Sequence, residues 1–482
     1  MALFMITSLI KIDFFMKKTI YIFLISIIII SSNTLFAQEK VKAWSLEDCI
    51  NYAFENNIQI KQSKLTVKSS EISLLQSKFN FLPSLNASAN QSTNWGRAVD
   101  LATYQYTNKK SQQFYSSVNS NLTLFNGFQN INKVRQEQFS YLAQKYNSDN
   151  IKNNIALNIA AAYLQILFNI EQVNNARRQV SMDQEQVART KKEVEVGQVA
   201  RGNLLDIEAQ AASDQVNLVK TQNTLMLAYL DLMQLLDLKS KTKFDIQKPK
   251  LEITHKPSLL PIDNIYHQAL SIMPQIKSAE YNVKAAGRGL AIAKGQRSPM
   301  LSLTSSYGNN YSNQIKLSNN PANPGFNEPK PFWSQIKDNG NWSLGFRLSI
   351  PIFNSYQVNS YINTSKITLE KARLSLTLEK NNLRKSIEQA YTDALAAYQT
   401  YMASLKSMKS QEEAFKYAKE KFNVGMLSAT DYNISKNKYY NALSSLTSSK
   451  YDYIFKTKIL DFYLGRSLSL KNIAVDISKK NK

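Results

Sequence analysis

The chain has 482 residues, with 59 Lys and Arg against 36 Asp and Glu, a net charge of +23, one cysteine and two histidines. At 43% hydrophobic residues it is too apolar for a disordered chain, so we expect it to fold. One cysteine cannot form an intramolecular disulfide, and His255 and His267 supply almost no further metal ligands. These counts exclude most metalloenzyme and thiol-enzyme chemistry, and we expect no cofactor, no metal and no catalytic residues.

Residues 1–37 have the pattern of a secretory signal peptide. Met16-Lys17-Lys18 is followed by an apolar run over 20–30 and by the small residue Ala37 at a plausible cleavage position. The run is shorter than the ~20 residues that a membrane-spanning helix needs. We therefore expect export with cleavage after Ala37, with Met16 as an alternative start. Export, and lysines that alternate with Glu, Asn and Gln, argue against a nucleic-acid partner despite the basic charge.

The mature chain repeats itself once. Ile58-Gln59-Ile60-Lys61 is echoed by Pro274-Gln275-Ile276-Lys277, 216 residues later, and Val196-Gly197 by Val424-Gly425, 228 residues later. The difference places a 12-residue insertion in the Pro- and Asn-rich loop of the second copy. The period is too long for a solenoid, so the sequence predicts a tandem duplication.

Each copy has the pattern helix, strand, strand, long helix, turn, helix. For repeat 1, over 38–237, we expect a helix at 45–80, strands at 82–94 and 112–126, a long helix at 128–196 and a helix at 203–237. For repeat 2, over 262–465, we expect a helix at 262–297, strands at 300–311 and 341–353, a long helix at 355–423 and a helix at 431–465. Residues 238–261 connect the copies, and 466–482 form a C-terminal tail.

The long helices carry apolar residues every seven positions. This period predicts helices that wind on one another as in a coiled coil. An ordinary amphipathic helix in a bundle would give the same pattern, but neither glycine nor proline interrupts 128–196 or 352–424, which favours an extended assembly. The rows are Ile159, Ile166, Val173, Val180, Val187 and Val194 with Leu204, Ala211, Leu218, Leu225 and Leu232, and in the second copy Ile387, Ala394, Tyr401, Met408, Phe415 and Phe422 with Tyr432, Tyr439, Leu446, Tyr453 and Leu460.

Between the helices the apolar period changes to two. From Trp342 to Ile352, every second residue is apolar and the others are polar, small or proline. Such segments are typical of outer-membrane strands, although a half-buried soluble sheet gives the same alternation. Four strands cannot close a membrane barrel, so the membrane interpretation requires several copies of the chain.

The order of elements and the short motifs together resemble the TolC-like outer-membrane efflux protein family over essentially the whole mature chain. The motifs are Leu124-Phe125-Asn126-Gly127, Pro351-Ile352-Phe353-Asn354 and the turns that follow Val196-Gly197 and Val424-Gly425. The resemblance implies a mainly α fold with a membrane β part. Three chains would form one 12-stranded β-barrel in the outer membrane and a long α-barrel through the periplasm. It also implies docking to a periplasmic adaptor protein and an inner-membrane transporter, which makes the protein a passive exit duct.

In the family, residues of the turn after the glycine constrict the periplasmic end of the duct. The resemblance therefore points to two turns, 197–206 and 425–434. Asp431 matches a ring aspartate, Asn203 holds the equivalent place in copy one, and Leu427 and Ile434 stand where members often have arginine and aspartate. Helix N-capping is the alternative role for Asp431. The candidate gate and adaptor-contact residues are Gly197, Asn203, Asp206, Gly425, Leu427 and Asp431, and Arg347 on the polar face of a strand is a candidate for the lumen.

An exported coiled-coil interaction protein without channel activity is the alternative function. It would also show heptads, but it would not explain four alternating strands between the helices. An enzyme has little support, because the adjacent Glu412 and Glu413 point in different directions on a helix. The cargo, whether drug, metal or protein, is not encoded in these patterns.

Overall fold

The computed structural model describes residues 43–99, 104–239, 244–249, 253, 260–318, 320, 322–326 and 328–470. The expected signal peptide at 1–37 lies outside these residues, as do much of the expected connector at 238–261 and residues 471–482 of the tail.

Within this part of the chain one series of elements occurs twice. The first series is α1 (Leu46–Asn56), α2 (Ile58–Phe79), β1 (Ser84–Val99), β2 (Tyr106–Phe125), α3 (Gln129–Glu195) and α4 (Arg201–Leu235). The second is α5 (Ile262–Ile272), α6 (Pro274–Gly295), β3 (Met300–Ser312), α7 (Phe332–Asp338), β4 (Asn341–Ser349), α8 (Gln357–Asn423) and α9 (Ala429–Tyr463).

Corresponding helices of the two series have equal lengths of 11, 22, 67 and 35 residues. At 1.5 Å per residue the 67-residue helices are about 100 Å long. The heptad rows are buried or half-buried along both helical pairs, and Ile159, Ile166, Ile387 and Ala394 are fully buried. These observations confirm the duplicated, coiled-coil-like architecture that the sequence predicts.

The prediction of one continuous helix at 45–80 is wrong, because α1 and α2 are separate helices. Asn57 lies between them with an extended backbone, and its side-chain oxygen accepts hydrogen bonds from the N–H groups of Gln59 and Ile60. Its amide group also donates to the carbonyl of Leu235, at 2.9 Å. Asn57 therefore caps a new helix and ties the break to the end of α4.

The helix expected at 262–297 is also broken, between α5 and α6. Pro274 is the first residue of α6 and Met273 before it is extended. Proline has no N–H and disfavours a helical conformation in the preceding residue, so it starts a helix and ends the previous one. Pro274 is therefore a signal in the sequence for a helix boundary, which the prediction of one helix at 262–297 does not take into account.

The four strands form one antiparallel sheet in the order β1-β2-β3-β4. β1 and β2 extend further than the expected strands at 82–94 and 112–126, while β4 ends at Ser349, before the expected 353. The register aligns Ala87, Val118, Tyr307 and Trp342 across the sheet, so the apolar residues of all four strands share one face. On the other face serine hydroxyls pair across strands, as between Ser306 and Ser343 at 2.7 Å.

The loop between β3 and β4 contains α7, a helix that the sequence did not predict. Gln335 of this helix is fully buried, and its side-chain amide pairs with both the N–H and the carbonyl of Ser312. Phe332 packs edge-on against Phe114 at 5.4 Å. The amide of Gln335 thereby pairs with the end of β3 beyond Gly308, where the pairing with the first residue of β4 stops.

The helices continue the sheet and then pair. Near the sheet α2, α3, α6 and α8 lie side by side in the order of the strands that they join, and further away α3 pairs with α4 and α8 with α9. One core surrounds α1 and α3, a second surrounds α5 and α8, and α9 packs against α3 and α4. Two helical hairpins, one from each repeat, therefore meet along α9.

None of the helices in the described ranges has both the length and the apolar character that crossing a membrane requires.

Candidate functional site

The two hairpins end in turns of the same construction. Gly197 follows α3 with φ +76° and Gly425 follows α8 with φ +78°. In each turn, the N–H of the third residue after the helix donates to a carbonyl of the last helical turn, from Gln198 to Glu193 and from Met426 to Lys421, both at 2.8 Å. This is the Schellman motif, which needs a left-handed residue. No atom lies within 4 Å of a Cβ built at either glycine, so backbone handedness alone requires glycine here.

The helix after each turn begins differently. Ser428 is the N-cap of α9, where its hydroxyl accepts the N–H of Asp431 at 3.1 Å and donates to the Asp431 carboxylate at 2.7 Å. The N-cap role considered for Asp431 is therefore wrong, since Asp431 lies in the first turn and forms the acidic half of a capping pair. In repeat 1 the N-cap position is Ala200, which supplies no side-chain bond.

The candidate residues lie at two separate levels of the molecule. Six of them belong to the two tips, where Gly197, Asn203, Asp206, Gly425 and Asp431 are exposed and Leu427 is half-buried. Arg347 is exposed on the polar face of β4, at the other end of the 67-residue helix α8. The fold thus brings the tip residues of each turn together and keeps Arg347 apart from them.

Arg189, which the sequence analysis did not single out, joins the two tips. Its guanidinium group donates to the side-chain oxygen of Asn423 at 2.6 Å and to the Asn423 carbonyl at 3.1 Å. Its third nitrogen pairs with Glu193 at 2.9 Å on its own helix. One exposed arginine of α3 therefore holds the last residue of α8.

Further from the tips, three charged side chains meet in the seam between the hairpins. Lys436 of α9 donates to the carboxylates of Asp183 on α3 and Asp214 on α4, the latter at 3.0 Å. The exposed fractions are 1% for Lys436, 4% for Asp183 and 7% for Asp214. One carboxylate oxygen of Asp183 has no hydrogen-bond partner. Two acids thus share one base in a nearly dry environment, with a surplus of negative charge.

Of the two acids, Asp183 is the easier to protonate. Burial raises the pKa of Asp183 from 3.8 to about 6, against the attraction of Lys436. Burial also opposes ionisation of Asp214, but its interactions with neighbouring groups, including hydrogen bonds from Gln210 and Lys436, outweigh burial and hold the pKa of Asp214 below its usual value. Below its pKa Asp183 is protonated, and the remaining Lys436–Asp214 pair is then neutral overall.

A signal for this triad exists in the heptads. Each of the three residues lies three or four positions after an apolar residue of a heptad row, on the buried side of its helix. Asp183 follows Val180 by three, Asp214 follows Ala211 by three and Lys436 follows Tyr432 by four. Charges at core positions of three helices, two acidic and one basic, suggest a mutual contact. Their meeting across repeats depends on the packing of α9, which the sequence pattern does not contain.

The rest of the seam combines polar contacts with apolar packing, such as Phe168 against Tyr451. Gln172 and Ser444 bond at 3.0 Å and Tyr451 donates to Glu171 at 2.9 Å. In the described ranges no group of three His, Cys, Asp or Glu side chains is placed to hold a metal ion. Such contacts can hold or release a helix interface.

Known proteins resemble this chain over nearly its whole length. The outer membrane efflux protein BepC of Brucella suis is 22% identical over 444 residues, which are 92% of this chain and 90% of that protein. The outer membrane protein TolC of Vibrio cholerae is 23% identical over 465 residues, covering 93% and 96%. The crystal structure of CusC, described as a transmembrane channel, superposes with a TM-score of 0.72 at 18% identity and covers 90% of this chain and 96% of that one.

The family model "Outer membrane efflux protein" matches residues 49–237 and 265–466. These two stretches cover well over half of the sequence and contain both hairpins, both tips and all four strands. The chain belongs to the outer membrane efflux protein family.

Proposed function

We propose that three copies of this outer-membrane efflux protein form a passive exit duct, to which a periplasmic adaptor and an inner-membrane transporter deliver cargo. The observation that carries the proposal is the joining of a two-faced sheet to helical hairpins about 100 Å long. The sheet would lie in the outer membrane and the hairpins would cross most of the periplasm. The transporter supplies the energy, so the duct needs only a water-lined path and an end that can close.

The two faces of the sheet support its placement in lipid. On β4, Trp342, Leu344 and Phe346 are 73–76% exposed, far more than a soluble sheet would leave in water. The opposite face carries serine, asparagine and Arg347, which suit a water-filled lumen.

The free edges of β1 and β4 support the trimer. No strand of the described residues pairs with the outer side of β1 or β4, and lipid does not satisfy such unpaired backbone groups. Pairing β4 of one chain with β1 of the next, three times, would give 12 strands and remove every edge.

The tips are the proposed periplasmic gate. Asp431 contributes one carboxylate per chain, so a trimer would carry a three-charge ring that attracts cations. The Lys436 triad and the Arg189–Asn423 contact both join the repeats near these tips. We propose that they stabilise the arrangement of the two hairpins in which the end is closed.

Channel recording tests the duct. Full-length protein reconstituted in a planar bilayer is expected to form channels, and in detergent it should migrate as a heat-resistant trimer. The alternative, an exported coiled-coil interaction protein, predicts no conductance. A monomer without conductance would overturn the proposal.

Two substitutions separate the gate role of Asp431 from its capping role. Asp431→Asn removes the charge but keeps a side-chain oxygen that can accept from the Ser428 hydroxyl, whereas Ser428→Ala removes the cap and leaves the charge. We expect Asp431→Asn to change cation preference or conductance and Ser428→Ala to leave both unchanged. Equal behaviour of the two variants would leave capping as the only role.

A further inference from the structure

A basic cleft lies where the sheet of repeat 2 meets its helices. It has a volume of about 690 Å³ and opens between the end of α6 and the start of α8. Lys294 and Arg297 line one side, and Lys366 lies on the other, one turn beyond the buried Ile362. The lining residues are Lys294, Arg297, Tyr356, Asn359, Ile362, Asn363 and Lys366.

No acid among the described residues forms an ion pair with the cations in this cleft. The guanidinium group of Arg297 donates to the side-chain oxygen of Asn359 at 2.6 Å, and among the residues that the structure describes none of the three cations forms an ion pair. The nearest acids along the two helices, Glu280 and Glu370, pair with other residues. Three unneutralised cations that share one cleft attract an anion.

The equivalent position of repeat 1 lacks two of the three cations. Lys294 corresponds to Lys78, but Arg297 corresponds to Phe81 and Lys366 to Gln138. The polar Asn359 corresponds to Ile131, which is 40% exposed. The junction between strands and helices can therefore be built without a basic cleft, so the charges are not a requirement of the fold.

Exposed apolar side chains adjoin the cleft. Ile352 and Phe353, just before the α8 helix, are 94% and 87% exposed, and Tyr356 at the rim of the cleft is 61% exposed. Apolar side chains beside a cluster of Lys and Arg are the combination that meets acyl chains and phosphate at a membrane surface.

We propose that this cleft binds the phosphate of an anionic phospholipid in the leaflet that faces the helices. Lys294, Arg297 and Lys366 contact the phosphate, Asn359 and Asn363 supply further polar contacts, and Ile352 and Phe353 contact the acyl chains. The inference rests on the proposed placement of the sheet in the outer membrane. It adds an anchor that fixes the height of repeat 2 in the bilayer.

The test measures lipid retention by the full-length trimer in neutral detergent. Native mass spectrometry compares bound dioleoylphosphatidylglycerol and dioleoylphosphatidylcholine in the wild type and in the triple variant Lys294→Gln, Arg297→Gln, Lys366→Gln. We expect the wild type to prefer the phosphatidylglycerol. The triple variant should bind this lipid at least about tenfold more weakly than the wild type.

Two controls match the triple variant. Lys409→Gln, Lys416→Gln, Lys419→Gln removes as many exposed charges from the tip end of the same helix, and Lys78→Gln removes the repeat 1 counterpart. Both should retain the lipid like the wild type. Equal retention by the triple variant, or equal losses in all variants, would overturn the site.

Inorganic phosphate distinguishes the two sources of the anion. If millimolar phosphate displaces the phosphatidylglycerol from the wild type, the cleft is a site for a free anion, and the lipid assignment is overturned. Channel conductance is recorded in the same triple variant and should persist. Absence of conductance in the wild type itself would contradict the proposed function. The lipid-binding measurement tests only the cleft.

Discussion

The hairpins of the two repeats have the same backbone plan and different interiors. Both pair a 67-residue helix with a 35-residue helix across a Schellman turn. The first is packed with isoleucine, valine, leucine and alanine along its rows. The second stacks aromatic rings, with Phe422 4.7 Å from Tyr432 and Phe415 5.6 Å from Tyr439. The seven-residue period and the turn therefore specify the hairpin, while side-chain shape can vary as long as the interface is filled.

The difference is greatest where the hairpins touch. α9 of repeat 2 packs against both helices of the first hairpin, and it places Lys436 between Asp183 and Asp214. At the position equivalent to Lys436, repeat 1 has Glu208, so this contact cannot form twice. The two repeats therefore have similar hairpins, but the residues that differ at the seam make the contact between them asymmetric.

Replacing Lys436 by methionine should have the largest effect, because it removes the contact that only one repeat can provide. It leaves two buried carboxylates without their base, which costs about 3 kcal/mol in a buried ion pair. Hydrogen exchange should show faster opening of α9 and of the Asp183 region. Lys438→Met, on an exposed face of the same helix, is the control and should change little. Similar exchange in both variants would show that the seam does not depend on the triad.

The pH dependence of stability should come from Asp183. Its pKa is higher in the folded protein than in the unfolded chain, so its contribution to stability is full below 3.8 and is lost as the pH rises through about 6. Asp183→Asn should remove this loss, which amounts to about 2 kcal/mol. The check is the melting temperature of variant and wild type between pH 4 and 7. The lowered pKa of Asp214 acts in the opposite direction and only below 3.8, outside this range.

The tip glycines should respond alike in both repeats. Gly197→Ala and Gly425→Ala each put a side chain on a left-handed residue, at a cost of about 1–2 kcal/mol. Gly202, in the first turn of α4 with open space around it, is the matched position, and Gly202→Ala should stabilise slightly. Hydrogen exchange at the turns measures both effects. Destabilisation by Gly202→Ala as well would point to a requirement other than handedness.

Exchanging the caps should give the smallest effect and should make the two hairpins more alike. Ser428→Ala removes the N-cap of α9 and should cost about 1 kcal/mol, whereas Ala200→Ser supplies a cap to α4 and should gain up to a similar amount. Protection of the first turn of each helix is the measurement. If Ala200→Ser leaves α4 unchanged, the turn of repeat 1 does not present its N–H groups to a serine hydroxyl.

Much of the fold was predictable because it rests on periods in the sequence. The heptads identified four helices and the alternation of two identified four strands, since burial of one face imposes these periods. The breaks at Asn57 and Met273 were missed because single capping residues carry little weight against a long helical pattern. α7 was missed because its stability comes from contacts such as the Gln335 amide on Ser312.

The candidate site was predictable only at its turns. Gly197 and Gly425 stand out because a left-handed residue must end each helix. Arg189 and the Lys436 triad were not found, since each joins residues more than 200 positions apart in the chain. The basic cleft likewise combines α6 with α8, which no local pattern links.

The amino-acid sequence is enough to predict that long paired helices alternate with two-faced strands, and that this plan occurs twice. The shortage of glycine and proline in two long stretches, and the two periods, follow directly from helix and strand geometry. The helix–helix contacts are known only from the tertiary structure. The packing of α9 against α3 and α4 places Lys436 beside two acids, and the packing of α6 against α8 places three cations in one cleft. The apolar periods do not predict either contact, because they describe each helix separately.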